Sequence, residues 1–100
     1  HVEVNGMAHI TGGGFKENLS RINNNFTMNI DKTKWDMPEI FREIKTLGNI
    51  EDDEMFRVFN CGIGFVLIVS KDNVTKAKLV NNSLIEIGFV TKEEVKFKFV

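Results

Sequence analysis

The chain has 100 residues, 42% apolar and 27% charged, and its thirteen basic and fourteen acidic residues leave a formal charge of −1. That length allows one domain, or a piece of one, with a modest core, and the composition argues against wholesale disorder. No basic stripe with interleaved aromatics appears and the longest apolar run is Ile63 to Val69, so neither nucleic-acid binding nor a membrane-spanning helix is expected.

Met7 to Thr11 reads as a short strand running into three glycines, Gly12, Gly13 and Gly14. Phe15, Leu19 and Ile22 then recur at helical spacing, and the run Asn23, Asn24, Asn25 ends that pattern as a loop. Phe26, Met28 and Ile30 alternate with polar residues, the period of a half-buried strand. The next helix has Asp36 as its expected cap with Glu39 three residues on, and Pro38 in the first turn. Its apolar face is Ile40, Phe41, Ile44 and Leu47, and Gly48 is expected to stop it in the left-handed conformation. A shorter helix starts near Glu51, where the acidic run favours a helix N-terminus.

Ile63 to Val69 is apolar without alternation, which predicts a central strand covered on both faces. A weak amphipathic helix from Ser70 or Asp72 passes through Val74, Ala77 and Val80. Ile85, Ile87 and Phe89 suggest another strand. Residues 95 to 100 (VKFKFV) alternate as an edge strand or hairpin partner, with Lys96 and Lys98 facing water. The expected fold is α+β, a mixed β-sheet layered with α-helices, within a single unit over residues 1–100.

The glycine cluster raises the first chemical question. A loop between a strand end and a helix start exposes backbone amides at the positive end of the helix dipole, and glycine lets an anion approach them closely. The spacing is neither GxGxxG nor a P-loop ending in GK[ST]. On the residues alone, a plain turn and a phosphate cradle remain equally open. His9 and Thr11 should share a strand face, where His9 can bind an anion, orient a substrate or move a proton. The plainer alternatives are a core-edge histidine and an ordinary helix cap.

FNCGIG, residues 59 to 64, is the second unusual stretch. Gly62 and Gly64 permit a bulge or close backbone approach, and Asn60 offers amide donors and an acceptor. Cys61 is the sole cysteine, which suits a reducing compartment and forbids an internal disulfide. Only His1 and His9 could pair with it, so a buried thiol is expected rather than a nucleophile. Glu51, Asp52, Asp53 and Glu54 read as a solvated helix start rather than a metal site, with Arg57 paired to Glu54. Trp35 and Phe41 read as core. The chain opens on HVEVNG, with no export leader in view, and a cytoplasmic location is the expectation.

Taken together, AHITGGGFKENLSRI (8–22), WDMPEIF (35–41), LGNIEDDEMFRVFNCGIG (47–64) and IEIGFV (85–90) closely resemble the second half of the C-terminal domain of the phosphoribosylformylglycinamidine cyclo-ligase (aminoimidazole ribonucleotide synthetase) family. The resemblance implies ATP- and Mg²⁺-dependent cyclisation of formylglycinamidine ribonucleotide in de novo purine synthesis. It further implies that the formyl oxygen is phosphorylated before a nitrogen closes the ring. It implies His9 as the active-site histidine and Thr11, Gly12, Gly13, Gly14 and Asn60 as phosphate or substrate contacts. ATP and Mg²⁺ would be held mainly by an N-terminal domain outside these residues. The intact family is homodimeric, and the piece alone is expected to self-associate and to be inactive. The competing readings are a non-catalytic fragment or phosphate-binding module, and a relative such as formylglycinamidine synthase, selenophosphate synthetase or thiamine-monophosphate kinase.

Overall fold

A computed structural model describes residues 2–22 and 25–100. Its elements run β1 (Gly6–His9), α1 (Gly14–Ser20), β2 (Thr27–Ile30), α2 (Glu39–Gly48), α3 (Asp52–Val58), β3 (Phe65–Ile68), α4 (Val74–Val80), β4 (Gly88–Thr91) and β5 (Phe97–Phe99). The order of strands and helices is the expected one, and the class is α+β. The strands divide into two sheets. β1 pairs antiparallel with β3, while β2 lies between an antiparallel β4 and a parallel β5. The larger sheet is therefore mixed.

The core gathers Ala8, Ile10, Phe15, Leu19, Met28, Ile30, Met55 and Phe56. Phe15 is its hub, with ring centroids 5.7 Å from Trp35, 6.0 Å from Phe56 and 6.4 Å from Phe99, all tilted or edge-on. Trp35 is thus packed against the core as expected, and Phe41 packs on Phe59.

Several local expectations change. β2 is buried along its whole length rather than on one face, and it is the middle strand of its sheet. Its buried polar side chains are mostly hydrogen-bonded: Thr27 donates to the Val95 carbonyl and Asn29 donates to Thr91 Oγ1 at 2.9 Å, while Asn29 Oδ1 is buried with no partner among the described residues. The fourth strand begins at Gly88, so Ile85 and Ile87 precede it.

α2 begins at Glu39 with Pro38 as its cap, and Asp36 does not cap it. A residue before proline is pushed out of the helical region, so Met37 cannot belong to the first turn. At its other end Asn49, not Gly48, takes the left-handed conformation (φ 50°), and the Ile50 N–H returns to the Lys45 carbonyl at 2.9 Å. Of the expected apolar face, Phe41 and Ile44 pack against the core, while Ile40 and Leu47 are exposed.

β3 is the largest departure. It has one strand partner instead of two, and Phe65 and Leu67 are exposed, so it is neither central nor covered on both faces. A groove of about 940 Å³ runs beside it, lined by Phe65, Leu67, Ala77, Phe89 and Val90 among others. β5 is an edge strand as expected, joined by parallel pairing rather than as a hairpin partner. Lys98 is half-buried and bonded to Glu93 at 2.8 Å. The expected asparagine loop falls partly on residues 23 and 24, outside the described residues.

Candidate functional site

β1 ends at His9, so Thr11 lies past the strand and does not share its face with His9 by strand alternation. The chain is held there by the Ile10 N–H, which donates to the Gly64 carbonyl at 2.9 Å. This bond ties the glycine loop to the FNCGIG turn.

The loop then turns sharply. The Gly14 N–H donates to the Thr11 carbonyl at 3.0 Å, and Gly13 stands at the helix cap with φ 96° and no side-chain cap. Gly14 also has positive φ (65°), and a Cβ there would lie 2.1 Å from the Phe56 carbonyl oxygen. Only glycine allows α1 to start against the end of α3. Gly12 is different, because no atom lies within 4 Å of where its Cβ would be. At Gly13 the nearest group is the Glu17 carboxylate.

Beneath the loop lies Asn18, buried, with its NH₂ donating to the Gly14 carbonyl at 2.7 Å and, more weakly, to the Thr11 and Gly12 carbonyls at 3.4 Å. Its Oδ1 accepts from Arg21 at 3.4 Å, and Arg21 pairs with Glu17 at 2.6 Å. Next to this network is a shallow concavity of about 370 Å³, lined by Met7, Ala8, His9, Thr11, Asn18, Arg21 and Ile22. His9 is exposed there, its ring 6.1 Å from that of Phe65.

The concavity therefore brings His9 and Thr11 together, while Gly12, Gly13 and Gly14 follow Thr11 in the chain without lining it, and Gly14 is buried. Asn60 lies apart from that concavity's lining. Its Oδ1 accepts the Gly62 N–H at 2.8 Å. Two residues of this region, Asn18 and Arg21, escaped the residue-by-residue reading. Their one signal was spacing, since Gly14 and Asn18, like Glu17 and Arg21, are four apart and meet on a helix.

Cys61 is fully buried at φ 52°, with its thiol directed at the Met55 carbonyl and its own carbonyl accepting from Trp35 Nε1 at 3.1 Å. Burial first, and the Asp52 charge second, push the thiol up to about 11. It is a packed, buried thiol, as expected. Arg57 pairs with Glu54, as expected, and holds that carboxyl below its ordinary range. Asp52 pairs with Lys45 at 3.3 Å. Among the described residues no three histidine, cysteine or carboxylate side chains converge to hold a metal ion. Nor is any helix among them long and apolar enough to cross a membrane.

Comparison with known proteins gives a consistent result. Residues 1–99 match the family described as AIR synthase related protein, C-terminal domain. The phosphoribosylformylglycinamidine cyclo-ligase of Geotalea daltonii is 49% identical over 94 residues, covering 93% of this chain and 27% of the relative. That of Methanococcus vannielii is 48% identical over 91 residues, covering 91% and 26%. That of Pseudothermotoga lettingae is 52% identical over 73 residues, covering 72% and 22%. The chain thus spans about a quarter of the length of the curated relatives it matches.

Proposed function

The chain belongs to the C-terminal domain family of AIR synthase related proteins, and from that premise we propose that it forms part of a phosphoribosylformylglycinamidine cyclo-ligase. In this reading residues 1–100 are one portion of a longer chain. They contribute the phosphate-binding wall of a site that cyclises formylglycinamidine ribonucleotide to aminoimidazole ribonucleotide in purine synthesis, with ATP as phosphoryl donor. The observation that carries it is the juxtaposition of His9 and Thr11 in one concavity directly before the exposed Gly12.

Phosphoryl transfer asks a protein mainly for positioning and charge stabilisation. The glycine loop supplies backbone donors, Thr11 a hydroxyl, and His9 an imidazole able to donate a hydrogen bond to a phosphate oxygen or orient the nucleotide. Asn60 adds an amide donor at the neighbouring turn. Among the described residues no three histidine, cysteine or carboxylate side chains converge on a Mg²⁺ site, and within the exposed run 51–54 Asp52 pairs with Lys45 and Glu54 with Arg57. No step is therefore assigned to the metal through this chain; the longer chain would hold it. Cytoplasmic location and homodimerisation of the intact enzyme belong to the same proposal.

The test is the cyclisation assay on the longer chain with His9→Ala. We expect turnover to fall by roughly 100-fold or more, the scale of a misplaced catalytic group. Near-normal turnover would remove His9 from the site. The second reading, a phosphate-binding fragment inactive by itself, is favoured by the exposed Phe65, Leu67 and Phe89 beside the large groove, surface that a longer chain would cover. Titrating the 100-residue chain with inorganic phosphate, beside the same cyclisation assay, separates the two.

A further inference from the structure

We propose that the groove beside β3 is a slot for one extended segment of the longer chain. That segment pairs with β3 on one edge and β4 on the other, joining the two sheets in the order β1, β3, inserted segment, β4, β2, β5. The inference rests on the reading above that these residues are one portion of a longer chain, and it names the surface that receives the rest.

The backbone supplies the first support. In an antiparallel ladder, the residues of a hydrogen-bonded pair turn both backbone groups to the partner strand, and the residues between them turn theirs away. The Ile10 N–H donates to the Gly64 carbonyl at 2.9 Å, and the register continues with His9 opposite Phe65 and Met7 opposite Leu67. Phe65 and Leu67 therefore direct their N–H and C=O groups away from β1. In the other sheet the Asp31 N–H donates to the Ile87 carbonyl at 2.8 Å, with Ile30 opposite Gly88 and Met28 opposite Val90. Gly88 and Val90 therefore direct theirs away from β2. Neither of these edges has a strand partner among the described residues, and all four residues line the same groove.

Side chains agree with the backbone. The groove meets Leu19, Ile22, Met28, Ile30, Val66 and Ile68, while Phe65 (55% exposed) and Phe89 (57% exposed) stand uncovered at its edges. The run Ile63 to Val69 has the apolar pattern of a strand with neighbours on both sides and cover on both faces. With the slot filled, β3 becomes that strand. The total surface points the same way: the chain exposes 6963 Å², where a compact monomer of its mass would expose about 5,800 Å². An apolar, unpaired edge of this kind is a template for another strand.

The occupant is the part of the longer chain that precedes these residues. The matched family is a C-terminal domain, and the chain covers 27% of the relative from Geotalea daltonii. Asn5, which leads into β1, itself lines the groove, its N–H on the Ile68 carbonyl at 2.7 Å. The preceding chain thus comes in beside the slot. The segment it places there is apolar on both faces, since both sides of β3 and β4 are apolar around it.

The test uses the longer chain. Amide hydrogen exchange resolved by residue should find the outward amides of Phe65, Leu67, Gly88 and Val90 protected to within roughly tenfold of the ladder amides of Val66 and Phe89. Exchange of Leu67 and Val90 at the rate of free amides in the folded protein overturns the proposal. Proline reads the same edge independently. Val90→Pro removes an N–H that the β2 ladder does not use, which a free edge tolerates. With a strand in the slot it should lower the melting temperature by roughly 5 °C or more, and an unchanged melting temperature overturns the proposal. If that variant does not fold, exchange in the wild type decides. Protection that vanishes on dilution to the monomer assigns the slot to a second copy and overturns it too. A longer chain that cyclises the ribonucleotide with freely exchanging edges fails this inference alone. Protected edges without cyclisation fail the functional reading alone.

Discussion

Two short stretches of this chain share a composition and use it in opposite senses. In residues 11–18 and in residues 59–64, an asparagine accompanies glycines, and the backbone visits positive φ: Gly13 and Gly14 in the first, Cys61 and Gly62 in the second. Asn18 donates its amide to carbonyls, and of the glycine N–H groups that of Gly14 is used on the Thr11 carbonyl. Asn60 accepts through its amide oxygen, so the turn's own Gly62 N–H is consumed. The FNCGIG turn also spends the Cys61 carbonyl on Trp35. The two stretches therefore differ in which end of an amide faces the backbone, and glycine content does not report it.

That contrast can be broken by substitution. The largest effect is expected at Gly14, where a Cβ overlaps the Phe56 carbonyl, a backbone atom that cannot rotate away. Gly14→Ala should cost more than about 3 kcal/mol of stability, read from the denaturation midpoint. Gly62→Ala comes next. Its Cβ would lie 2.4 Å from Pro38 Cδ, so about 2 kcal/mol is expected. Any change in the phosphate affinity of the folded fraction reports the part Asn60, held by the Gly62 N–H, takes in binding. An unchanged affinity would show that the second stretch takes no part in binding.

Cys61 gives a smaller, pH-dependent effect. Its ordinary value is 9.0, and burial raises it to about 11 in the folded protein. Below pH 9 both states keep the proton. As pH rises further the unfolded thiol ionises first, so the stability held by the buried thiol is lost between pH 9 and about 11. Denaturation at pH 8 and pH 10.5 should show this loss, and Cys61→Ala should remove it. The smallest effect on stability belongs to Gly12→Ala, which meets nothing within 4 Å and should change stability by no more than about 0.5 kcal/mol. If the loop cradles phosphate, that one methyl should still weaken phosphate binding measurably. An unchanged Kd would return the loop to being a plain turn.

Much of this is legible in the sequence. The period of Phe15 and Leu19 located α1, the acidic run at 51–54 located the start of α3, and the three glycines marked the strand-to-helix turn. Each rests on spacing or on a residue's own conformational preference, which travel with the sequence. The start of α2 was misplaced because a capping-box spacing at Asp36 competed with the pre-proline restriction at Met37, and the steric rule prevailed.

What tertiary structure decided was of another kind. An apolar run such as Ile63 to Val69 is compatible with burial, but only the number of neighbouring strands determines how much burial it receives, and in this chain β3 has one. Asn18 and Asn60 are the same residue type with the same inventory of donors and acceptors. Their opposite roles arise because one lies under the first turn of a helix, facing carbonyls, and the other at the head of a turn, facing an N–H. Sequence alone determined which groups were available to bond; the approach of α1 to α3 and of β1 to β3 determined which bonds formed, because a hydrogen bond depends on direction and distance that only the assembled fold supplies.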